Sequence, residues 1–356
     1  MRDFACPNDG QQLAFENSHC LGCDNEIGFD LLSREFKILD ADGTTAGAGD
    51  RAPGSPEPLR LDDSRSAGPV LQRCANQLIA RCNWLVPVLE NEAGDPALCR
   101  SCSLTRTRPA DGDPLLPQFA DAEAAKRRLV LELVELGLPI TDRVADPERG
   151  LAFDLLSSSQ EHVITGHADG VITLDLAEGD DVHREQLRVS MDEPYRTLLG
   201  HFRHETGHYY FFVLAETGPA RQEFARLFGD ADADYQAALD RHYSQGPPAG
   251  WESDHVSSYA TMHPAEDWAE TFAHYLHIRD TLDTAAAFGF APAGATADRP
   301  LAGDAGFDRI IDLWLPLAWS LNMINRSMGH ADLYPFVLPP RVLEKMRLIH
   351  RLVAAA

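Results

Sequence analysis

Apolar residues recur at helical spacing through most of the chain beyond residue 115. The stretch Phe119–Leu138 carries leucines three or four positions apart among charged residues, and it ends at Gly137 and Pro139. Amphipathic helices have this periodicity and these stop signals. Similar patterns predict four more helices, at 192–216, 264–279, 307–328 and 340–353.

The predicted 192–216 helix has signals at both ends. Asp192 is an acidic cap, and Pro194 falls in the first turn, where its missing N–H costs nothing. The helix should stop before Gly218.

One segment alternates apolar and polar residues instead. Gly170–Leu176 has the pattern of a strand with one buried face. We expect His162–Thr165 to be its hairpin partner, with the turn at Gly166–Asp169.

The first third of the chain has a different pattern. Small and turn-forming residues surround cysteines at 1–36 and 70–104, whereas 40–69 is rich in Gly, Pro, Ser and Asp. The latter composition favours a flexible linker. The chain therefore predicts an α+β protein in which a small cysteine-rich domain, 1–115, precedes a mainly helical domain with a small sheet, 116–356.

Composition narrows the classes of protein that the chain can belong to. Hydrophobic residues make up 44% and charged residues 24% of the 356 residues, as in folded soluble proteins. No apolar run approaches the roughly 20 residues that span a membrane, and the first residues lack an apolar signal-peptide core. Asp and Glu number 55 against 31 Lys and Arg, a net charge of −24, which disfavours binding to phosphate backbones. We expect neither a membrane nor a nucleic acid as a partner.

The placement of the cysteines points to metal binding. All seven lie within the first 102 residues, and so long a cysteine-free remainder argues against an oxidised, secreted protein. Paired C-x-x-C spacings in a reducing compartment are typical of metal sites, so we expect a cytoplasmic protein. Free buried thiols are the alternative.

The cysteines form two sets. The second has four members, a full ligand set for one structural zinc ion. They are Cys74, Cys82, Cys99 and Cys102. The first set comprises Cys6, Cys20 and Cys23. Either Asp9 or His19 completes this set, or the site binds weakly or stays empty, so we expect one or two structural zinc ions.

The strongest motif is the H-E-x-x-H sequence His204–His208. Two histidines four positions apart lie on one face of a helix, so both imidazoles can bind one ion. Glu205 beside them can take a proton from metal-bound water. The alternative is a surface helix that carries these residues by chance, but apolar neighbours on both sides predict burial, where such groups without a metal or partner are costly. We therefore predict a catalytic zinc site with His204 and His208 as ligands.

A catalytic zinc ion needs a third protein ligand. The helix predicted from Pro264 carries Glu266 and Glu270 four positions apart, on one face. One carboxylate can bind the ion while the other holds a ligand histidine by its second nitrogen, and the spacing leaves open which does which. The alternative is that both acids are solvated. His255 and His263 are weaker candidates as donors at the site.

The chain resembles a bacterial family of zinc-binding metallopeptidases that joins an N-terminal zinc ribbon to a zincin domain. The resemblance covers nearly the whole chain. The matching stretches are Cys20–Cys23, Cys82–Pro87, Cys99–Cys102, His204–His208, Tyr259–Pro264, Glu266–His277, Arg326–Gly329 and Asp332–Phe336. The resemblance implies a zinc-ribbon fold for 1–115 and a zincin-like fold for 116–356. Asp9 departs from the family pattern, in which a ribbon cysteine is usual.

The catalytic part is also similar to the gluzincins of the lethal-factor type. In that group the third ligand is the first Glu of an E-x-x-A-E segment, and a Tyr seven positions earlier assists at the metal. The similarity implies that Glu266 is the ligand, that Glu270 holds a ligand histidine, and that Tyr259 donates a hydrogen bond to the transition-state oxyanion. Ordinary core packing is the alternative role for Tyr259.

Together these features predict a zinc-dependent peptidase acting on peptide or protein substrates. Glu205 would accept a proton from the activated water and return it to the leaving amine, and the 170–176 strand would bind substrate by edge pairing. The cysteine-rich domain could bind a protein partner or cover the cleft. One alternative is a zincin fold that binds a partner without cleaving it. The other is a transcription-associated zinc-ribbon protein, which the net charge disfavours.

Overall fold

The computed structural model describes residues 2–45, 69–88, 97–159, 162–179, 197–291, 302–334 and 338–356. The chain divides into two compact units, Arg2–Ser103 and Leu104–Ala356. The predicted domain boundary lies further along, between 115 and 116. Most of the predicted linker, 46–68, lies outside the described residues.

Three short antiparallel hairpins form the first unit. They are β1 (Phe4–Ala5) with β2 (Gln12–Leu13), β3 (Ile27–Asp30) with β4 (Glu35–Ile38), and β5 (Leu71–Arg73) with β6 (Leu85–Pro87). Aromatic rings fill the space between them. The ring of Phe29 lies 5.0–5.8 Å from those of Phe4, Phe15, Phe36 and Trp84. So small a unit has little core, which is why metal sites commonly supplement such domains.

The second unit combines one sheet with seven described α-helices. The helices are α1 (Leu116–Glu135), α2 (Leu198–Leu214), α3 (Gly218–Leu227), α4 (Tyr235–Gln245), α5 (Pro264–Ala287), α6 (Gly303–Ser327) and α7 (Pro340–Ala355). The sheet contains β7 (Thr105–Thr107), β8 (Ala152–Leu156), β9 (Gly166–Ala168) and β10 (Val171–Asp175) in the order β7-β8-β10-β9. The predicted α+β class is confirmed. None of the described helices has both the length and the apolar character needed to cross a bilayer.

The sheet corrects two predictions. The predicted strand is β10, but it lies between β8, parallel to it, and β9, antiparallel to it, so it offers no edge to a substrate. Its hairpin partner is β9 and not His162–Thr165, which forms no strand. The turn is only two residues long, Asp169 and Gly170, with positive φ values of 47° and 81°. Asp-Gly favours this tight turn. Because the turn is so short, β9 occupies most of the segment that was predicted as the turn.

Gly170 is required at this turn for a second reason. A Cβ atom there would lie 2.2 Å from the carbonyl oxygen of Arg149. The hairpin therefore depends on a residue with no side chain.

The helices are present where the periodicity predicts them, with different ends. The described part of α2 begins at Leu198 after Thr197, its N-cap, whereas the predicted start at 192–194 lies outside the described residues. Helix α5 continues past Arg279 to Ala287, and α6 begins at Gly303 rather than Phe307. Two further short helices, α3 and α4, have little apolar character, and the periodicity does not predict them.

A separate hydrophobic cluster joins α5, α6 and α7. Trp314 of α6 packs there with Ile278 of α5 and Met346 of α7, and each of the three is at most 2% exposed. This cluster anchors the long helix α5, whose first two turns carry both predicted carboxylates.

Removal of the α2 cap should cost a measurable part of the stability. The side-chain oxygen of Thr197 accepts a hydrogen bond from the N–H of Gly200 over 2.9 Å. We expect Thr197→Ala to lower the free energy of unfolding by about 1 kcal/mol, measured by urea denaturation followed by far-ultraviolet circular dichroism.

Thr217 provides the matched control. It occupies the N-cap of α3 in the same extended conformation but makes no side-chain capping bond. Thr217→Ala should therefore change stability by less than about 0.5 kcal/mol. Equal losses in the two variants would contradict the assigned cap.

Candidate metal centres and active site

Helices α2 and α5 come into unusually close contact at Gly207. A Cβ atom on Gly207 would lie 2.9 Å from the Cα atom of Ala269 and 3.1 Å from its carbonyl oxygen. The indole N–H of buried Trp268 donates to the carbonyl oxygen of Gly207 over 2.9 Å. The variable position of the H-E-x-x-H motif thus sets the distance between the two helices that carry the candidate ligands.

The contact brings three predicted ligands together. His204, His208 and Glu266 each offer a donor atom, and these atoms lie within 4.8 Å of one another. Oε2 of Glu266 is 3.0 Å from Nε2 of His204 and 3.4 Å from Nε2 of His208. Two such ligands on one tetrahedral zinc ion, each at about 2.1 Å, would be about 3.4 Å apart. The chemistry and spacing of the donors therefore fit zinc.

Glu270 lies on the other side of His204. Its Oε1 accepts a hydrogen bond of 2.6 Å from Nδ1 of His204. Burial would raise the pKa of Glu270, but the hydrogen bond and charge of His204 lower it to about 2. Because Nδ1–H is donated to Glu270, Nε2 presents its lone pair to an ion. The two carboxylates thus have different contacts: Glu266 lies near Nε2 of both histidines, and Glu270 bonds to Nδ1 of His204. The spacing alone left open which carboxylate would take which position.

The general base predicted from the motif is also inside the site. Glu205 is 7% exposed, and its charge acts on both His204 and Tyr235. Its carboxylate is therefore near the candidate ligands.

Tyr259 stands over the first histidine. It begins a short 3-10 helix, Tyr259–Thr261, just before α5, and its ring centroid is 6.1 Å from that of His204. Burial, followed by the charge of Glu266, raises the pKa of Tyr259. Its phenol therefore keeps its proton, as a hydrogen-bond donor must.

The histidines that seemed weaker candidates have other contacts. His263 caps α5, where its Nδ1 accepts from the N–H of Ala265 over 3.1 Å. Nε2 of His255 is 3.8 Å from Oδ2 of Asp267.

Two site residues were missed in the sequence analysis. The hydroxyl of Tyr235, the first residue of α4, donates to Oε1 of Glu266 over 3.1 Å. The ring of His167 on β9 stacks on that of His208 at a centroid distance of 6.2 Å. Both residues lie at least 31 positions from their partners, so no local spacing could have revealed them.

The second cysteine set converges at one point. The sulfur atoms of Cys74, Cys82, Cys99 and Cys102 lie within 4.8 Å of one another, and all four residues are buried. The sulfurs of Cys82 and Cys99 are 3.7 Å apart, far longer than a disulfide bond. Thiolates on one tetrahedral zinc ion would be about 3.8 Å apart. The four donors fit a structural zinc ion.

The first cysteine set has an oxygen donor beside it. Asp9 joins Cys6, Cys20 and Cys23 in a group with donor atoms within 4.8 Å. The Cys6 and Cys23 sulfurs are 3.6 Å apart, and Oδ1 of Asp9 is 3.6 Å from the Cys20 sulfur. His19, the other candidate, instead contacts Asp24 through its Nε2 at 3.0 Å. The structure thus brings Asp9, and not His19, to the three thiols.

Comparison with known proteins identifies the family to which the chain belongs. A family model described as "Putative zinc-binding metallo-peptidase" matches residues 115–352. The chain belongs to this family. A zinc-ribbon model matches residues 3–113 of this metallopeptidase family member. The predicted resemblance to a metallopeptidase family with an N-terminal zinc ribbon is confirmed.

Three relatives match this family member over nearly its whole length. Uncharacterized proteins of Mycobacterium bovis and of two strains of Mycobacterium tuberculosis are each 60% identical to it over 355 residues, 99% of this chain and 95% of theirs. No solved structure matches the chain. The family assignment and the cysteine clusters support zinc binding.

A methyl group at Gly207 should separate the two helices. We expect Gly207→Ala to weaken zinc binding at His204 and His208 by about tenfold or more, because Glu266 would move away from the imidazoles, and to lower stability by about 1–3 kcal/mol. Zinc content in buffered free zinc and thermal unfolding measure the two effects.

Gly112→Ala is the control for an added methyl group. Nothing lies within 4 Å of a Cβ atom built at Gly112, so this variant should bind zinc and unfold as the wild type does. Unchanged zinc affinity in Gly207→Ala would show that helix spacing does not control the site.

The identity of the fourth ligand in the first cysteine set can be tested directly. Asp9→Ala should lower zinc retention against a competing chelator by roughly tenfold, because it removes the only oxygen donor in the described cluster. His19→Ala should leave retention unchanged, because the His19 side chain points to Asp24. The reverse result would restore His19 as the ligand.

Proposed function

We propose that this protein is a zinc-dependent peptidase of the gluzincin type that hydrolyses bonds in peptide or protein substrates. His204, His208 and Glu266 would hold the zinc ion. The observation that carries the proposal is the position of one Glu266 oxygen, 3.0 and 3.4 Å from the two imidazole nitrogens of the motif. A bound zinc ion supplies a Lewis acid that polarises a carbonyl group and makes a water molecule more acidic.

The protein's own groups would carry the protons. Glu205 would accept the proton of the attacking water and pass it to the nitrogen of the leaving amine. Its burial on the helix that carries both histidines supports this role, because charge acts more strongly where water is excluded. Glu270 would keep His204 in the tautomer and orientation that binding requires.

Tyr259 would stabilise the oxyanion that develops on the substrate carbonyl. A phenol that keeps its proton can donate a hydrogen bond to this charge. Its placement over His204, at a ring distance of 6.1 Å, supports the assignment.

The substrate backbone would pair with β9 rather than β10. Strand β9 is the last strand of the described sheet on this side, and its His167 contacts His208 and Phe212 at ring distances of 6.2 and 5.8 Å. An extended peptide can add to such an edge through main-chain hydrogen bonds.

Replacement of the base tests the proposal. Glu205→Gln keeps the size of the side chain but cannot accept the proton, so kcat on a cleaved peptide should fall by about 100-fold or more while zinc content stays unchanged. A peptide-library cleavage assay with parallel metal analysis provides both measurements.

Glu223→Gln is the matched control, because Glu223 lies on α3 in an exposed ion pair with Arg351. It should retain both activity and metal. If zinc is present and no peptide is cleaved by any of the three proteins, the chain is a zinc-binding interaction or regulatory protein with a zincin fold.

A further inference from the structure

The phenol of Tyr235 reaches the candidate zinc site from a different helix than the ligands. Tyr235 begins α4, whereas His204 and His208 lie on α2 and Glu266 lies on α5. Its hydroxyl donates to Oε1 of Glu266 over 3.1 Å, and Glu266 is 3% exposed. The carboxylate oxygen that accepts this hydrogen bond is then less available to bind an ion.

The two oxygens of Glu266 therefore have separate partners. Oε2 is the atom close to both imidazoles, at 3.0 and 3.4 Å, and Oε1 accepts from Tyr235. Without that hydrogen bond, rotation of the carboxylate could exchange the oxygens or turn both toward the histidines. The hydrogen bond thus selects one orientation, with a single oxygen presented to an ion.

Tyr235 also lies near the second phenol of the site. Burial, then the charge of Glu266 and then the neighbouring Tyr235, raise the pKa of Tyr259. Tyr235 is therefore close both to Glu266, to which it donates, and to Tyr259.

The start of α4 is tied to the start of α5, which fixes where the Tyr235 ring can lie. Asp234 caps α4 by accepting from the N–H of Ala237 over 3.0 Å. His263, the N-cap of α5, donates through Nε2 to the carbonyl oxygen of Ala233 over 3.0 Å. The rings of Tyr235 and His263 lie 5.3 Å apart. The histidine that caps α5 is thus also bonded to the residue just before the N-cap of α4, and this ties the position of Tyr235 to the start of the helix that carries Glu266.

We propose that Tyr235 is a positioning residue of the zinc site, which holds Glu266 so that a single oxygen faces the ion. The inference rests on the proposed function, since it concerns the same site. It adds to the site a residue from a third helix, which no motif identifies and which acts on the ion only through Glu266.

Zinc titration of the full chain tests this role. Protein is equilibrated with a series of free-zinc buffers, and bound zinc is measured after separation from the buffer. The transition that disappears in His204→Ala belongs to the His204 site, and the remaining transitions belong to the thiolate sites. In Tyr235→Phe the His204-site transition should move to about 10–100-fold higher free zinc, while the thiolate transitions should stay in place.

Two further variants separate positioning from general damage to the fold. Tyr243→Phe removes a phenol hydroxyl from the same helix, from a side chain that is 66% exposed, and should not move the transition. Tyr259→Phe should lower cleavage but leave the transition within about threefold of the wild type, since Tyr259 is not itself bonded to Glu266. With cobalt in place of zinc, the difference spectrum between wild type and His204→Ala reports this site, and Tyr235→Phe should change it.

Each outcome decides a separate question. A His204-site transition that Tyr235→Phe leaves in place overturns the positioning role and leaves the proposed function intact. Equal shifts in Tyr235→Phe and Tyr243→Phe also overturn it, because they indicate disturbance of α4. If His204→Ala removes no transition, the zinc site itself fails, and the proposed function fails with it.

Discussion

Gly207 brings two helices together by the absence of a side chain. Any larger residue would place its Cβ atom 2.9 Å from the backbone of Ala269, and helices in proteins normally stay 8–10 Å apart because of their side chains. The hydrogen bond from Trp268 to the Gly207 carbonyl holds the contact from the other side. This contact sets the distance between the imidazoles of α2 and the carboxylates of α5. The site therefore depends on a residue that has no reactive side chain.

The contact also buries charge that has to be balanced. Glu205 and Glu266 are each at most 7% exposed, and buried carboxylates are costly without a cation or hydrogen bonds. Asp267, next in sequence to Glu266, has a cation of its own, because Nζ of Lys345 on α7 lies 2.5 Å from its Oδ2. Neighbouring acids on α5 thus have different partners: Asp267 pairs with an ammonium group, and Glu266 lies 3.0 and 3.4 Å from the two imidazoles.

The sequence predicted the parts of this site that depend on local spacing. Histidines four apart and glutamates four apart share helix faces whatever the fold. The need for a third ligand paired the two helices, and the resemblance to gluzincins assigned Glu266 rather than Glu270 as that ligand. The roles of Gly207 and Tyr235 depend on contacts across helices, which periodicity does not encode. The sheet shows a different kind of failure. Its Asp169-Gly170 turn is a recognisable hairpin signal, but the alternation that predicted β10 says nothing about which strands flank it.

The two cysteine clusters have similar donor atoms but differ in how deeply those atoms are buried. Three thiolates and a carboxylate carry the same formal charge as four thiolates, so electrostatics alone would make the clusters alike. Cys82 and Cys102 are at most 1% exposed, whereas Asp9 is exposed and Cys23 is half-buried. Water can compete for an exposed carboxylate far more easily than for a buried thiolate, and carboxylates are harder and weaker ligands for zinc than thiolates. The buried cluster would therefore hold a zinc ion more firmly than the Asp9 cluster, from which an ion would exchange more readily.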